Sequence, residues 1–252
     1  MNPARQLNPH DLLETEVKIM ATKLKLLGAF FALAGLGFLA AGIFAFTQVQ
    51  AGSKSLQDFS AAQNVTLSYD ENGVLTDRGT VEGAQAIMDL LQDDWGYAVK
   101  SAEMDPNDPL VNTGSEYMYQ MALVAYHTLN GSTEVTLTED VEYNGETFKA
   151  GTYDVPTDGK YWADFDRMHP LEGPARAQVW TATAHALIAE LGVGSVTAST
   201  LTMGYGVSGL LGGLGLIFLV TGGVMFWMTA GSTKPEAKDA STITKVDAPA
   251  NA

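Results

Sequence analysis

The densest group of residues able to do chemistry is Asp164-Phe-Asp166-Arg167-Met-His169-Pro-Leu-Glu172. Two carboxylates and an imidazole suit a divalent cation, so Asp164, Asp166 and His169 are the candidate ligands of a metal-dependent enzyme. The competing reading is a structural loop, in which Arg167 pairs with neighbouring acids and Asp164 or Asp166 caps a turn. Neither an H-E-x-x-H pattern nor EF-hand spacing accompanies these residues, and the structural reading is favoured. No metal or cofactor is assigned. The other histidines are His10, His127 and His185. His127 falls opposite the apolar stripe of its helix, on the side of Glu116 and Gln120. His185 lies with Gln178 on the less apolar side of its own helix. Both read as solvated or hydrogen-bonded side chains.

No serine sits in a G-x-S-x-G elbow, and no glycines form a P-loop or a G-x-G-x-x-G between strand and helix. The chain has no cysteine, which removes disulfides, thiolate catalysis and cysteine-based metal or haem sites. Its many carboxylates are dispersed. No catalytic residue is assigned, and the chain is expected not to be an enzyme. Asn64-Val-Thr66 and Asn130-Gly-Ser132 match the glycosylation sequon, a short pattern with many false matches.

What positions these residues is a pair of uncharged runs, Leu26 to Val49 and Leu201 to Met228. A hydrocarbon core about 30 Å thick needs roughly 20 apolar residues in a helix, so each run is long enough to span a bilayer. Lys18, Lys23 and Lys25 precede the first run, and Lys234 and Lys238 follow the second. Nothing basic lies between Arg176 and Lys234. Basic flanks mark the cytoplasmic side, so both termini are expected in the cytoplasm of a bacterial plasma-membrane protein and residues 50–200 outside it. Val49-Gln50-Ala51 is weakly like a signal-peptidase site, but signal cores run about 7–15 apolar residues; an uncleaved anchor is the favoured reading.

Residues 50–200 hold 23 of the 29 acidic and 7 of the 14 basic side chains, a net charge of −16. Such a surface repels phosphate backbones, which argues against nucleic acid, and suits the steering of a basic partner. The expected fold is α+β: two transmembrane helices flanking an extracytoplasmic domain with an antiparallel β-meander and several helices. The divisions are a cytoplasmic segment 1–25 with an amphipathic helix starting at Asn8-Pro9, spans 26–49 and 201–228, the acidic domain 50–200, and a disordered cytoplasmic tail 229–252. Within the domain, a helical neck at Leu56–Ala62 leads to a strand over Asn64–Tyr69. A helix follows Thr80, and another runs from about Gly114 to Leu129. Strands surround the Asn144-Gly145 turn. A further helix starts at Gly173-Pro174, with Trp180, Ala184, Leu187 and Leu191 on one face and a kink at Gly192 and Gly194 as one option.

Both spans are rich in small residues. Gly28 with Ala32, Gly37 with Ala41, and Gly204 with Ser208 are small-xxx-small pairs, and Gly209 with Gly213 is a literal GxxxG. Small residues let helix backbones approach closely in lipid, so these eight are the expected packing positions between the spans and against other integral membrane proteins. Aromatics near both ends of the spans (Phe30, Phe31, Phe44, Phe46, Tyr205, Phe226, Trp227) suit an interfacial belt.

The layout of two spans around an acidic domain, the run Tyr161-Trp-Ala-Asp-Phe-Asp-Arg-Met-His-Pro170 leading into Ala175-Arg176-Ala-Gln-Val-Trp180, and the glycine-rich second span resemble uncharacterised actinobacterial membrane proteins. They are similar to the small accessory subunits of the cytochrome bcc–aa3 respiratory supercomplex. The resemblance covers the spans and the last third of the domain, and it carries over no catalytic residues. It implies a non-enzymatic accessory or scaffolding subunit whose partners are membrane proteins, respiratory subunits among them. The alternative is an extracytoplasmic ligand-binding or sensing module with a pocket lined by Trp95, Tyr97, Tyr126, Tyr161, Trp162 and Trp180.

Overall fold

A computed structural model describes residues 9–230. The expected cap at Asn8 and the tail from 231, with Lys234 and Lys238, lie outside the described residues. Two helices, α1 (Pro9–Gln63) and α5 (Ala182–Ala230), are long and apolar enough to cross a membrane. Gly192 and Gly194 lie inside α5, which continues through them as helix. The chain divides into two compact units: residues up to Phe44 with those from Val207, and Ala45–Gly206.

The first unit is a pair of helices packed through missing side chains. Gly28, Gly35 and Gly42 on α1 are buried, as are Ser208, Gly215, Gly222 and Thr229 on α5. Both sets repeat every seven residues, the interval that keeps one seam facing a partner helix. A methyl group built on Gly35 would lie 2.8 Å from both the carbonyl oxygen of Gly215 and the amide nitrogen of Leu219. One on Gly42 would lie 2.8 Å from the Gly212 nitrogen, and one on Gly222 2.7 Å from the Gly28 oxygen. The backbones therefore touch, in an order that runs down α1 as it runs up α5. Phe218 sits beside the seam between Phe31 and Phe38, with ring centroids 5.6 and 5.5 Å away. The hydroxyls of Thr221 and Thr229 donate to carbonyls of their own helix, so neither is left as an unpaired donor.

The second unit mixes helices with small antiparallel ladders. Strands β1 (Ser68–Tyr69) and β2 (Leu75–Thr76) pair around Asp70-Glu-Asn-Gly73. There the Asp70 carboxylate accepts the amides of Asn72 and Val74 and Gly73 takes a φ of 75°. The expected strand from Asn64 shrinks to these two residues and a bridge from Thr66 to Leu110. Helix α2 (Val81–Asp89) starts on Thr80, whose hydroxyl accepts the Gly83 amide at 3.2 Å. It widens to a π-turn over Leu90–Asp94 and ends at Gly96, φ 66°.

Helix α3 (Gly114–Leu129) opens with a capping box: the Thr113 hydroxyl accepts the Glu116 amide, and the Glu116 carboxylate accepts the Thr113 amide. A capping box satisfies two of the helix's orphan donors at once. Strands β3 (Ser132–Leu137), β4 (Val141–Tyr143), β5 (Glu146–Phe148) and β6 (Gly151–Pro156) do not form a meander. β3 pairs with β6, and the β4–β5 hairpin forms a separate ladder between them in sequence. Asn144 and Gly145, at φ 49° and 85°, make the hairpin turn that their identity predicts.

The helix expected from Gly173 to the second span is broken in two. α4 (Glu172–Val179) stops at Trp180, and Thr181 starts α5 by accepting the Ala184 amide on its hydroxyl. One core joins Leu67, Ile87, Leu91, Tyr119 and Ala122; the other joins Leu129, Val135, Val155, Phe165, Ala175 and Trp180.

Lys160 ties the second core together. Its ammonium donates to Glu172 at 2.7 Å, and its carbonyl accepts the Trp180 indole N–H at 3.1 Å. The Lys160 hydrogen bond, then the Asp166 amide, hold the Glu172 carboxyl below its ordinary value despite some burial. A carboxylate with a depressed folded pKa adds stability above its unfolded value, about 4.3 for glutamate, and loses it as pH falls through the folded value. Lys160→Met removes the largest lowering cause and raises the folded value. Acid loosening around Trp180, followed by tryptophan fluorescence from pH 7 downward, should then begin at a higher pH in Lys160→Met than in the parent; coincident titrations would contradict the link.

Candidate functional site

The polar residues singled out as a metal centre are each employed in holding the loop. Asp164 accepts the Tyr161 amide at 2.9 Å, and Asp166 accepts the Met168 amide at 2.9 Å and the Tyr143 hydroxyl. His169 Nδ1 accepts the amides of Leu171 and Glu172 at 3.2 and 3.3 Å, which caps α4 and places its proton on Nε2. The Tyr143 hydrogen bond, followed by the Met168 amide, lowers the Asp166 carboxyl. Among the described residues, no three histidines or carboxylates converge on a common point. This loop acts as a clasp between the β4–β5 hairpin and α4.

His127 pairs with the buried Asp77 at 3.1 Å. Asp77 is held by a tight turn in which Arg78 and Gly79 take φ of 48° and 81°, with reciprocal backbone bonds between Asp77 and Thr80. Glu116, expected on the solvated side of α3 with His127, is instead 2% exposed. Burial raises its carboxyl even though the Asn112 and Thr113 amides pull the other way. The position serves the capping box, a signal the Thr-x-x-Glu spacing carries.

His185 sits edge-on to Trp162, with centroids 4.9 Å apart, and beside Trp180. Of the six aromatics expected to line a pocket, Trp95, Tyr97 and Tyr126 pack against the first core, Trp180 is buried in the second, and Tyr161 and Trp162 are exposed. Trp95 donates to the Tyr161 hydroxyl at 2.9 Å, Tyr161 stacks on Trp180, and the Arg176 guanidinium lies 4.0 Å over the Trp162 ring.

The small-residue positions divide between two faces. Gly28 and Ala32 lie in the seam of the first unit, where Gly222 would meet the Ala32 amide, and Ser208 faces Gly42. The seam also takes in Gly35, Gly42, Gly215 and Gly222, outside the four-residue motifs. Gly37, Gly209 and Gly213 have no atom within 4 Å of a built methyl group, and Ala41 is exposed. At 3.6 residues per turn, these four point roughly away from the seam. The literal GxxxG therefore takes no part in the contact between α1 and α5. In the second unit, a methyl group on Gly204 would meet Val49 at 2.6 Å.

The second unit also holds a half-open pocket of about 440 Å³ between the Leu56–Val65 and Leu187–Thr197 segments, with Val111 and Tyr117 behind it. Its depth comes from Gly194: a methyl group there would lie 2.6 Å from the Tyr117 ring, so the glycine lets the ring lie against α5. Ser195 fastens the same stretch to α3 by donating to the Gly114 carbonyl at 3.2 Å. Inside, Ser60 donates its hydroxyl proton to the Leu56 carbonyl at 2.9 Å. The 2.7 Å contact between Ser60 and Tyr117 must then be donated by the tyrosine. Both protons are used, and the interior presents hydrocarbon.

Comparison with protein-family models, with curated proteins and with solved structures gives no match for this chain. Any functional statement therefore rests on the residues themselves.

Ser60 is 2% exposed, so its removal has a defined cost. Ser60→Ala strands the Tyr117 hydroxyl and should destabilise the second unit by about 1–3 kcal/mol, whereas adding Tyr117→Phe should recover most of that loss. Thermal unfolding of both variants checks this; equal losses in single and double variants would refute the assigned bond.

Proposed function

We propose that this chain is a non-enzymatic accessory or scaffolding subunit of a larger plasma-membrane assembly. In this reading residues 26–49 and 201–228 span the bilayer, both termini are cytoplasmic, and residues 50–200 form an acidic extracytoplasmic domain. The observation that supports it is the set of small residues turned away from the seam. A glycine inside a helix costs about 1 kcal/mol relative to alanine. In the seam that cost is offset by backbone approach, but at Gly37, Gly209 and Gly213 no atom of the described residues comes within 4 Å of a built methyl group to offset it. A neighbouring subunit's helix lying against those positions would do so.

The resemblance of this layout to accessory subunits of the actinobacterial bcc–aa3 supercomplex makes a respiratory assembly the first partner to test. The charge of residues 50–200 suits contact with a basic subunit or a cationic electron carrier. Asp164, Asp166 and His169 of the candidate metal loop each accept structural hydrogen bonds, which supports the structural reading of that loop.

Solubilised gently from native membranes, the parent protein should migrate with a larger complex. The double variant Gly209→Leu/Gly213→Leu should leave that complex while its own stability is unchanged or rises by up to about 1–2 kcal/mol, since it removes two helix glycines. Gly35→Leu, by contrast, overpacks the seam and should lose about 1–3 kcal/mol. A parent protein that runs as a lone monomer, or a double variant that stays in the complex, contradicts the proposal.

A further inference from the structure

The pocket between Leu56–Val65 and Leu187–Thr197 has a size and lining that select its occupant. We propose that it holds a hydrocarbon chain of a membrane lipid whose head group is neutral or cationic.

The lining is dominated by Leu56, Phe59, Val65, Val111, Leu191 and Val193. Phe59 is 47% exposed and Val193 67% exposed at its mouth, so apolar surface continues from the interior to the rim. At about 30 Å³ per molecule, the volume corresponds to roughly 15 waters, and each buried water needs two to four polar partners. Ser60 and Tyr117 have spent their protons on each other and on the Leu56 carbonyl. Water gains little there, and a hydrocarbon chain displaces it favourably.

Size also separates a lipid tail from a partner helix. A helix with its side chains is about 10–12 Å across, so the 440 Å³ available admits about one turn of it. A single flexible chain fits the space along its length. Polar ligands are ill served as well, because small-molecule sites fix such ligands with several placed donors and acceptors, whereas the lining is mostly apolar, with Gln63, Glu190 and Thr197 its polar members beside the paired Ser60 and Tyr117.

Charge decides the head group. Among the described residues, Glu190 is the only carboxylate that lines the pocket, and no lysine or arginine lines it. An anionic head would meet a carboxylate with no cation to compensate, while a neutral or cationic head would not. The two lining segments belong to α1 and α5, the chain's two helices long and apolar enough to enter a bilayer, which gives a lipid a source. The inference rests on the membrane placement of α1 and α5 in the proposed function, but not on the accessory-subunit role.

The test uses the full chain reconstituted into phosphatidylcholine vesicles containing a phosphatidylcholine with a photoactivatable diazirine on one acyl chain. After irradiation and digestion, mass spectrometry should find label in residues 56–65 and 187–197 as well as in the spans. Ala189→Trp, which fills the pocket from an exposed position, should cut labelling of those two segments about tenfold and leave labelling of 26–49 unchanged. Val193→Trp provides the same readout if Ala189→Trp fails to fold. The matching phosphatidylglycerol probe should label the pocket less than phosphatidylcholine, and Glu190→Lys should reverse that order. Label confined to the spans, label in the pocket segments unaffected by either tryptophan, or a crosslink from the pocket to a second copy or another protein would each overturn the proposal.

Discussion

Two backbones in contact require positions with no side chain at all, and that constraint organises the first unit. Lipid tails are as apolar as leucine, so helices in a bilayer gain little from hiding apolar surface and associate through dense packing. Gly35 and Gly42 stand on one side of this contact and Gly215 and Gly222 on the other, and a single methyl group at any of the four would fall within 3 Å of facing backbone. The same device recurs in the second unit. There Gly194 makes room for the Tyr117 ring, and the space left beside it becomes the apolar pocket.

Polar groups are spent on shape. Glu116 gives its carboxylate to the start of α3, His169 gives a ring nitrogen to the start of α4, and Lys160 joins Glu172 to the loop that carries Trp180. Tyr69 and Tyr119 keep their hydroxyls buried with no hydrogen-bond partner among the described residues, and burial is the main cause that raises both phenols. Apart from these, the polar groups named here hold backbone or neighbouring side chains in place. This explains why the residues of greatest chemical promise in the sequence end as caps and clasps.

Much of the architecture was legible from residue types alone. Uncharged runs announced the two long helices, Thr80 marked a helix start, and Asn144-Gly145 marked a hairpin, because each signal is local. Signals that depend on distant partners were not legible in the same way. The β3–β6 pairing skips the hairpin between those strands, and no short-range pattern distinguishes that from a meander. The turn at Arg78-Gly79 escaped because arginine rarely takes a positive φ. Thr181 was hidden in an apolar periodicity that runs unbroken from Trp180 to Leu191. The seam was read from four-residue motifs, although the contact follows a seven-residue repeat through Gly28, Gly35 and Gly42; that interval was present in the sequence and is the signal that would have found it. The pocket had no sequence signature, since it depends on three segments meeting around one glycine.

The seam can be tested directly because the chain contains no cysteine. A methyl group on Gly28 would lie 3.2 Å from the Met225 Cβ, close to the separation of about 3.5–4.5 Å that a disulfide requires. In membranes, Gly28→Cys/Met225→Cys should oxidise to an intramolecular disulfide in nearly every molecule, while Gly37→Cys/Gly209→Cys should not. No crosslink in the first pair, or an equal yield in the second, would contradict the antiparallel glycine seam on which this description of the molecule rests.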